Sequence, residues 1–377
     1  MARRGLALVF AGSFAVTAAA TVNEKDAAPD LEKAVGELSR CYEPFASGPS
    51  SLPGELVLAG TASARASSLA GERSPFVMSV DFEGRGSEVV FDDERVRLVE
   101  ARAVARLDAE VFVVAGVTPE DNVIALVERT GKVEQVRKLA ADVSLVGIER
   151  GSANDFLVYG RFGSRPYYAG LKRSLSPVFE RFPIIASSYG QVFKARYSRA
   201  RDAIWMLVQG ADGPQSDGTV SLVKHDLLGN TLASTSVKSM YADFEETADG
   251  VVLLHYTAAD ETQNLIVSSF DRALKPRWVS EPIRARRGLV GPKLAVLKDK
   301  VLVVAANEFK LSIAAFDLAG RPLWTYRDKS SSLSPGSTYF VAHDATRLLV
   351  AQPDRRGAEA GRPAPDPSCT RIRVVRF

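Results

Sequence analysis

Phe270-Asp271-Arg272-Ala273-Leu274-Lys275-Pro276-Arg277-Trp278 returns 46 residues later as Phe316-Asp317-Leu318-Ala319-Gly320-Arg321-Pro322-Leu323-Trp324. Phe, Asp, Ala, Pro and Trp coincide, and the two copies hold two of the three tryptophans in the chain. A strand–turn–strand phrase recurring with a period in the forties is the mark of stacked β units, each of which needs its neighbours to bury its faces. Working outward, Asp226 stands 45 residues before Asp271, and Gly229 follows it as Gly320 follows Asp317. Fainter copies place Lys172 (with Pro177 and Phe179), Glu128 (with Gly131) and Asp81 (with Gly84) at the same point of the unit. The one long step, from 172 to 226, contains the polar Gly/Asp stretch from Gly210 to Gly218, which reads as a loop added to one unit. Asp followed by Gly suits a tight turn, because glycine accepts a positive φ.

The rest of each unit is legible from its apolar runs. Val111–Val114, Phe156–Tyr159, Ile204–Val208, Val251–Leu254, Val301–Val304 and Leu348–Val350 are continuous rather than alternating, as strands buried on both faces are. Each precedes a second strand, the turn phrase and a short third strand, and follows a less regular one such as Tyr241–Glu246. Four strands per unit make a propeller blade. Six turn marks, plus strands at Tyr339–Val341, Leu348–Val350 and Ile372–Phe377, predict an all-β β-propeller of about seven blades, with six or eight as alternatives. The last blade lacks its outer strand, which the segment just after Cys41, near Tyr42–Ala46, is expected to supply, so that N- and C-terminal segments close the ring.

The expected domains are residues 1–20 as a signal peptide, 21–41 as a polar segment with a short helix, and 42–377 as the propeller. Arg3-Arg4, the apolar run Gly5–Val16 and the small residues Ala18-Ala19-Ala20 read as an export signal, with an apolar run too short for a transmembrane helix. The helix would start at Asp30 and carry Leu31, Val35 and Leu38 on one face. An exported chain, periplasmic or extracellular, permits a disulfide, and Cys41 and Cys369 lie near its two ends. Such a bridge at the seam of the ring would be worth roughly 4–5 kcal/mol on chain-entropy arguments. The residues from Arg355 to Ser368 read as a loop within the last blade.

Composition excludes several classes of function. Hydrophobic content of 46% and charged content of 25% are those of a globular protein. Loss of residues 1–20 lowers the formal charge from +3 to +1, with Lys and Arg scattered, so no nucleic-acid partner is expected. No P-loop, nucleophile elbow, HExxH, CxxC pair or EF-hand loop is present, and three histidines are too few for most metal sites. No metal, stable membrane insertion or oligomer is expected.

The phrase Phe-Asp-x-x-Gly-x-Pro-x-Trp, as in Phe316 to Trp324, resembles the repeats of the quinoprotein-like (PQQ-like) propeller families, over roughly residues 222–328. Those families include quinone-dependent dehydrogenases and many non-catalytic relatives, among them periplasmic scaffolds. The resemblance implies a propeller and places this chain with the non-catalytic members. Only two blades carry the tryptophan, and the adjacent-cysteine pair of the dehydrogenases has no counterpart, so no cofactor is expected.

Candidate chemistry is sparse. His255 lies in a buried run and His225 in a turn phrase, where structural roles are the ordinary reading. His343-Asp344 follows an apparent inner strand, and Asp243, Glu245 and Glu246 lie on the corresponding strand of another blade. A carboxylate and an imidazole facing one channel can bind a cation or move a proton; exposed loop charges are the alternative. Arg284, Arg286 and Arg287 offer an anionic partner a contact or are simply solvated. Tyr167-Tyr168 and Tyr189 line either a binding face or the strand packing. The leading reading is a non-enzymatic binding or scaffolding module for a protein, peptide or glycan on one face of the ring. The alternative is a hydrolase or lyase working through channel carboxylates near Asp243 and Asp344. Charged groups converging in a deep channel would favour the enzyme, and a neutral, apolar channel the scaffold.

Overall fold

The computed structural model describes residues 29–35, 40–64, 73–152, 154–183, 189–211, 218–239, 241–259, 262–285, 290–307, 310–328, 339–354 and 371–377. Seven antiparallel sheets follow one another along the chain, six of them in simple up-and-down order. Their first strands, which lie innermost, are Arg40–Gly48, Glu100–Arg106, Val143–Arg150, Tyr189–Tyr197, Ala242–Glu246, Val290–Val296 and Phe340–His343, in blades 1 to 7. Blade 5 has a fifth strand, Ile283–Ala285, paired with its third. The core is divided into seven apolar clusters, one at each junction between neighbouring blades. The cluster of Tyr42, Leu56, Phe76, Phe340, Leu349 and Val374 joins blade 1 to blade 7, so the ring is closed. Among the described residues, no helix is long and apolar enough to cross a membrane.

All six turn marks fall where the repeat places them. In each, the amide three residues on bonds back to the carbonyl of the marked residue, as Gly229 to Asp226 (3.1 Å), Leu274 to Asp271 (3.0 Å) and Gly320 to Asp317 (3.0 Å). Aspartate is preferred because its carboxylate also accepts from two further amides: Asp271 takes those of Ala273 (2.8 Å) and Lys275 (2.9 Å), and Asp317 those of Ala319 and Arg321 (both 2.9 Å). The fourth position of every turn is left-handed, from Gly84 (φ 68°) to Gly320 (φ 82°), and in two blades it is a leucine, Leu175 (φ 58°) and Leu274 (φ 60°). Both leucines are buried in inter-blade clusters, and that burial offsets the cost of a side chain at positive φ.

The tryptophan of the phrase belongs to the neighbouring turn. The indole of Trp278, on the outer strand of blade 5, lies over Gly320 in the turn of blade 6, where a Cβ would come within 2.5 Å of the ring. The same contact recurs at the seam, where Leu31 and Lys33 lie over Gly84 of blade 1.

That seam differs from the expectation. The outer strand of blade 7 is Leu31–Val35, which pairs antiparallel with Arg371–Arg376 from Leu31 opposite Arg376 to Val35 opposite Ile372. The segment read as a short helix is thus an extended strand over Leu31–Val35, and Tyr42–Ala46 belongs to the innermost strand of blade 1. Isolated short helices are marginal in water, whereas the edge of Arg371–Arg376 offers a row of ladder partners. Ion pairs reinforce the choice. Arg373, 2% exposed, bonds Glu32 (3.1 Å) and the buried Asp328 after blade 6, and Arg376 bonds Asp30 (2.7 Å). Cys41 lies in the inner strand of blade 1, opposite Ser63. Cys369 lies outside the described residues, as does the loop read from Arg355 to Ser368.

Candidate functional site in the central channel

The channel is walled by alternate residues of the inner strands, since successive side chains of a strand point to opposite faces. In Ala242–Glu246 the apolar members Ala242 and Phe244 enter the core between blades 4 and 5, leaving Asp243 and Glu245 for the channel. In Tyr189–Tyr197, Val192 and Ala195 are core and Lys194 and Arg196 face the channel. A register shift between Val192 and Lys194, and another between Leu145 and Gly147 in blade 3, re-aim these strands as β-bulges do. At Gly147 the ring of Tyr159 occupies the place of a side chain.

Four charged residues meet there. Lys194 donates to Asp243 (2.5 Å), the carbonyl of Phe244 (2.7 Å) and Glu245 (3.1 Å), which uses all three ammonium hydrogens. Asp243 also accepts from the amides of Phe244 (2.9 Å) and, in blade 6, Leu294 (2.8 Å). Arg196 bonds the second oxygen of Glu245, and the His343 imidazole of blade 7 stands 3.7 Å from that same oxygen. Burial alone would raise the pKa of Glu245, but Arg196 and Lys194 hold it well below the usual carboxylate range. Asp243 and Glu245 are both 4% exposed, so the network is a buried staple between blades 4, 5 and 6.

Beside it lies a carboxyl of another kind. Glu149, on the inner strand of blade 3, makes no hydrogen bond or ion pair among the described residues. Burial pushes its pKa up to about 7, with the charge of Glu245 adding to the rise and Arg196 and Lys194 opposing it. Burial also lifts the phenol of Tyr159 above its ordinary range, and the charge of Glu149 adds to this. These groups open on one cavity of about 460 Å³, lined by residues of six inner strands and by the connection between the first two strands of blade 1. Glu149, Tyr159, Phe193, Arg196, Lys293 and His343 face it. Glu55, at its edge, is neutralised by Arg106 at 2.5 Å. Lys293 has no carboxylate partner among the described residues; its ammonium stands 5.9 Å from the Tyr241 ring centroid.

Of the residues singled out in the sequence, Asp243 and His343 are brought together. Asp344 is not with them: its carboxylate accepts from the amides of Thr346 and Arg347 (both 2.8 Å) and pairs with the Arg347 side chain, so it organises a turn. Arg284 is exposed on the fifth strand of blade 5, opposite Asn264, away from the channel lining. Arg287 lies outside the described residues. His225 is held by the Tyr168 hydroxyl (2.9 Å) and Thr231 (3.2 Å), a structural role. Tyr167 and Tyr168 are buried in strand packing, and Tyr189 is exposed with Arg161 over its ring. Sequence reading missed Glu149, Lys194, Arg196 and Lys293. The signal that could have found them is a charged residue at channel-facing positions of the inner strands, once those strands are aligned between blades.

No protein-family model and no curated protein matches the chain. Solved structures share its fold at very low identity. The WD40 domain of coronin from Toxoplasma gondii superposes with a TM-score of 0.53 at 9% identity, over 93% of this chain and 88% of that one. The Dos1 propeller gives 0.54 at 9% identity, over 86% and 81%. Polysaccharide lyase Uly1 gives 0.54 at 8% identity, over 93% and 99%. These likenesses establish the propeller and nothing about activity.

Proposed function

We propose that this protein is an exported, non-enzymatic binding module that holds a protein or peptide partner on the face of the ring where the channel cavity opens. The observation that carries this reading is the state of the two carboxylates that acid–base chemistry would have used. Asp243 is held by an ammonium and two amides, and Asp344 by a turn and an arginine. Groups so committed serve the fold and are poorly placed to exchange a proton with a substrate. Charged groups do converge in the channel, as an enzyme would require, but they converge on each other. What is left is a rigid rim of strand ends and loops around a cavity, which suits recognition. The signal-like residues 1–20 support export, and the Phe-Asp-x-x-Gly-x-Pro-x-Trp phrase supports kinship with non-catalytic quinoprotein-like propellers.

A photo-reactive residue at Leu52, 41% exposed on the loop that lines the cavity, tests the reading against one at Leu232, 56% exposed on an outer strand. Partner crosslinks at position 52 and none at 232 are expected; the reverse pattern overturns the assignment of the face. One observation favours the alternative of a hydrolase or lyase: burial pushes the Glu149 carboxyl up to about 7, the range that suits a general acid. Turnover of a glycoside or ester that disappears in Glu149→Gln would establish it in place of the scaffold.

A further inference from the structure

The charges lining the cavity do not balance. Lys194, Arg196 and Lys293 face two carboxylates, Asp243 and Glu245, while Glu55 and Arg106 cancel each other. Glu149 titrates near neutrality. When it is neutral the cavity carries one uncompensated positive charge; when it ionises the excess vanishes. The excess is also accessible. Lys293 is half-buried with no counter-charge among the described residues, and Arg196, 35% exposed at its side chain, spends one of five guanidinium N–H groups on Glu245.

We propose that this cavity is a receptor for the C-terminal carboxylate of a peptide chain, held between Lys293 and Arg196. The proposal rests on the binding reading above. A guanidinium and an ammonium sharing one cavity fit a carboxylate, which takes a charge-assisted bond from each. Phe193 and Val341 supply apolar lining for the last side chain, and the cavity volume lies in the range of small-ligand pockets. Glu149 then makes recognition pH-dependent, because its ionisation sets a like charge beside the bound carboxylate. The groups facing it are Lys194, Arg196 and Arg201 of blade 4, Asp243 and Glu245 of blade 5, Tyr159 on its own blade, Lys293 of blade 6 and His343 of blade 7.

The test uses the full chain with N-acetylleucine and N-acetylleucinamide, which differ in the charge, and with glucuronate as a sugar acid, titrated by calorimetry or ligand-observed NMR. N-acetylleucine is expected to bind at least about tenfold more tightly than the amide, and Lys293→Met to lose about tenfold, the size of one charge-assisted hydrogen bond. Lys293→Arg keeps binding and controls for folding. Between pH 8 and pH 6 the ligand stays ionised, so tighter binding at pH 6 reports the protein. Glu149→Gln is expected to abolish that difference and to bind at pH 8 as the wild type does at pH 6. A difference that persists in Glu149→Gln and disappears in His343→Gln moves the pH response to His343 and overturns the role given to Glu149. Equal binding of acid and amide, or binding of glucuronate alone, overturns the receptor assignment while leaving crosslinking at position 52 intact. Loss of that crosslinking as well refutes the binding face itself.

Discussion

Arg373 offers the sharpest test of how the ring is closed. Its side chain is 2% exposed and spans three elements: it sits on the third strand of blade 7, binds Glu32 on the N-terminal strand, and binds Asp328 after blade 6, itself 3% exposed. In Arg373→Met the volume is roughly kept, but Asp328 loses its guanidinium in a site with little water to replace it. Breaking a buried pair from one side costs about 3–5 kcal/mol. The Glu32 arm, 37% exposed, adds little, so about 3 kcal/mol is expected. Unfolding entropy scales with chain length, and for a protein of this size each kcal/mol moves the midpoint by about 1–1.5 °C, giving a fall of about 4 °C. Urea titration supplies the free energy and calorimetry the midpoint. The double variant Arg373→Met/Asp328→Asn removes the negative charge that faced the guanidinium and should regain at least about half of the loss. Asp30→Ala, which cuts an exposed pair at the same seam, should cost less than about 1 kcal/mol. If Arg373→Met costs less than Asp30→Ala, or if the double variant is worse than the single one, the closure does not depend on this buried pair.

The remaining expectations concern the turns and the buried titratable groups. Asp271→Ala strips two amides of their acceptor and should cost about 1 kcal/mol in a thermal or denaturant melt. Leu274→Gly relieves about 1 kcal/mol of left-handed strain but gives up about 2–3 kcal/mol of burial, so it should destabilise by about 1–2 kcal/mol; a gain in stability would reverse that ordering. His255 is buried with a single partner among the described residues, Ser268 at 3.3 Å, and burial lowers its pKa to about 4. The unfolded chain therefore takes up the proton first, and stability should fall as pH drops from about 6.5 to about 4, by up to about 3 kcal/mol. His255→Gln should remove that slope when the two proteins are melted side by side. For Glu149 the sign is opposite, since its folded pKa is raised: the stability it contributes is present below the ordinary glutamate range and is lost as pH rises through about 7. Glu149→Gln should then be more stable than wild type at pH 8 by about 2 kcal/mol and nearly equal to it at pH 4.

What could be read in the sequence and what could not divide along a physical line. The phrase ending in Trp278 was legible because its residues serve neighbours: the indole of one blade covers the turn glycine of the next, and the turn aspartate satisfies amides that every blade presents. A contact made at each junction is written once per blade, so it shows as a period. The closing strand is used once. Leu31, Val35 and Leu38 have helical spacing, and nothing local reveals that Arg373 and Arg376, more than 300 residues away, hold that segment extended. The channel obeys the same rule. Asp243 was found because its strand could be aligned with that of His343, yet its partner Lys194 lies on the preceding blade, and Glu149 and Lys293 on two others. The inner strands of blades 3 to 7 contribute different charged or titratable groups to a shared cavity, so those residues do not repeat even though their positions do. The period reports what joins each blade to the next, and a functional site in such a ring is to be sought where the repeat keeps its place and changes its residue.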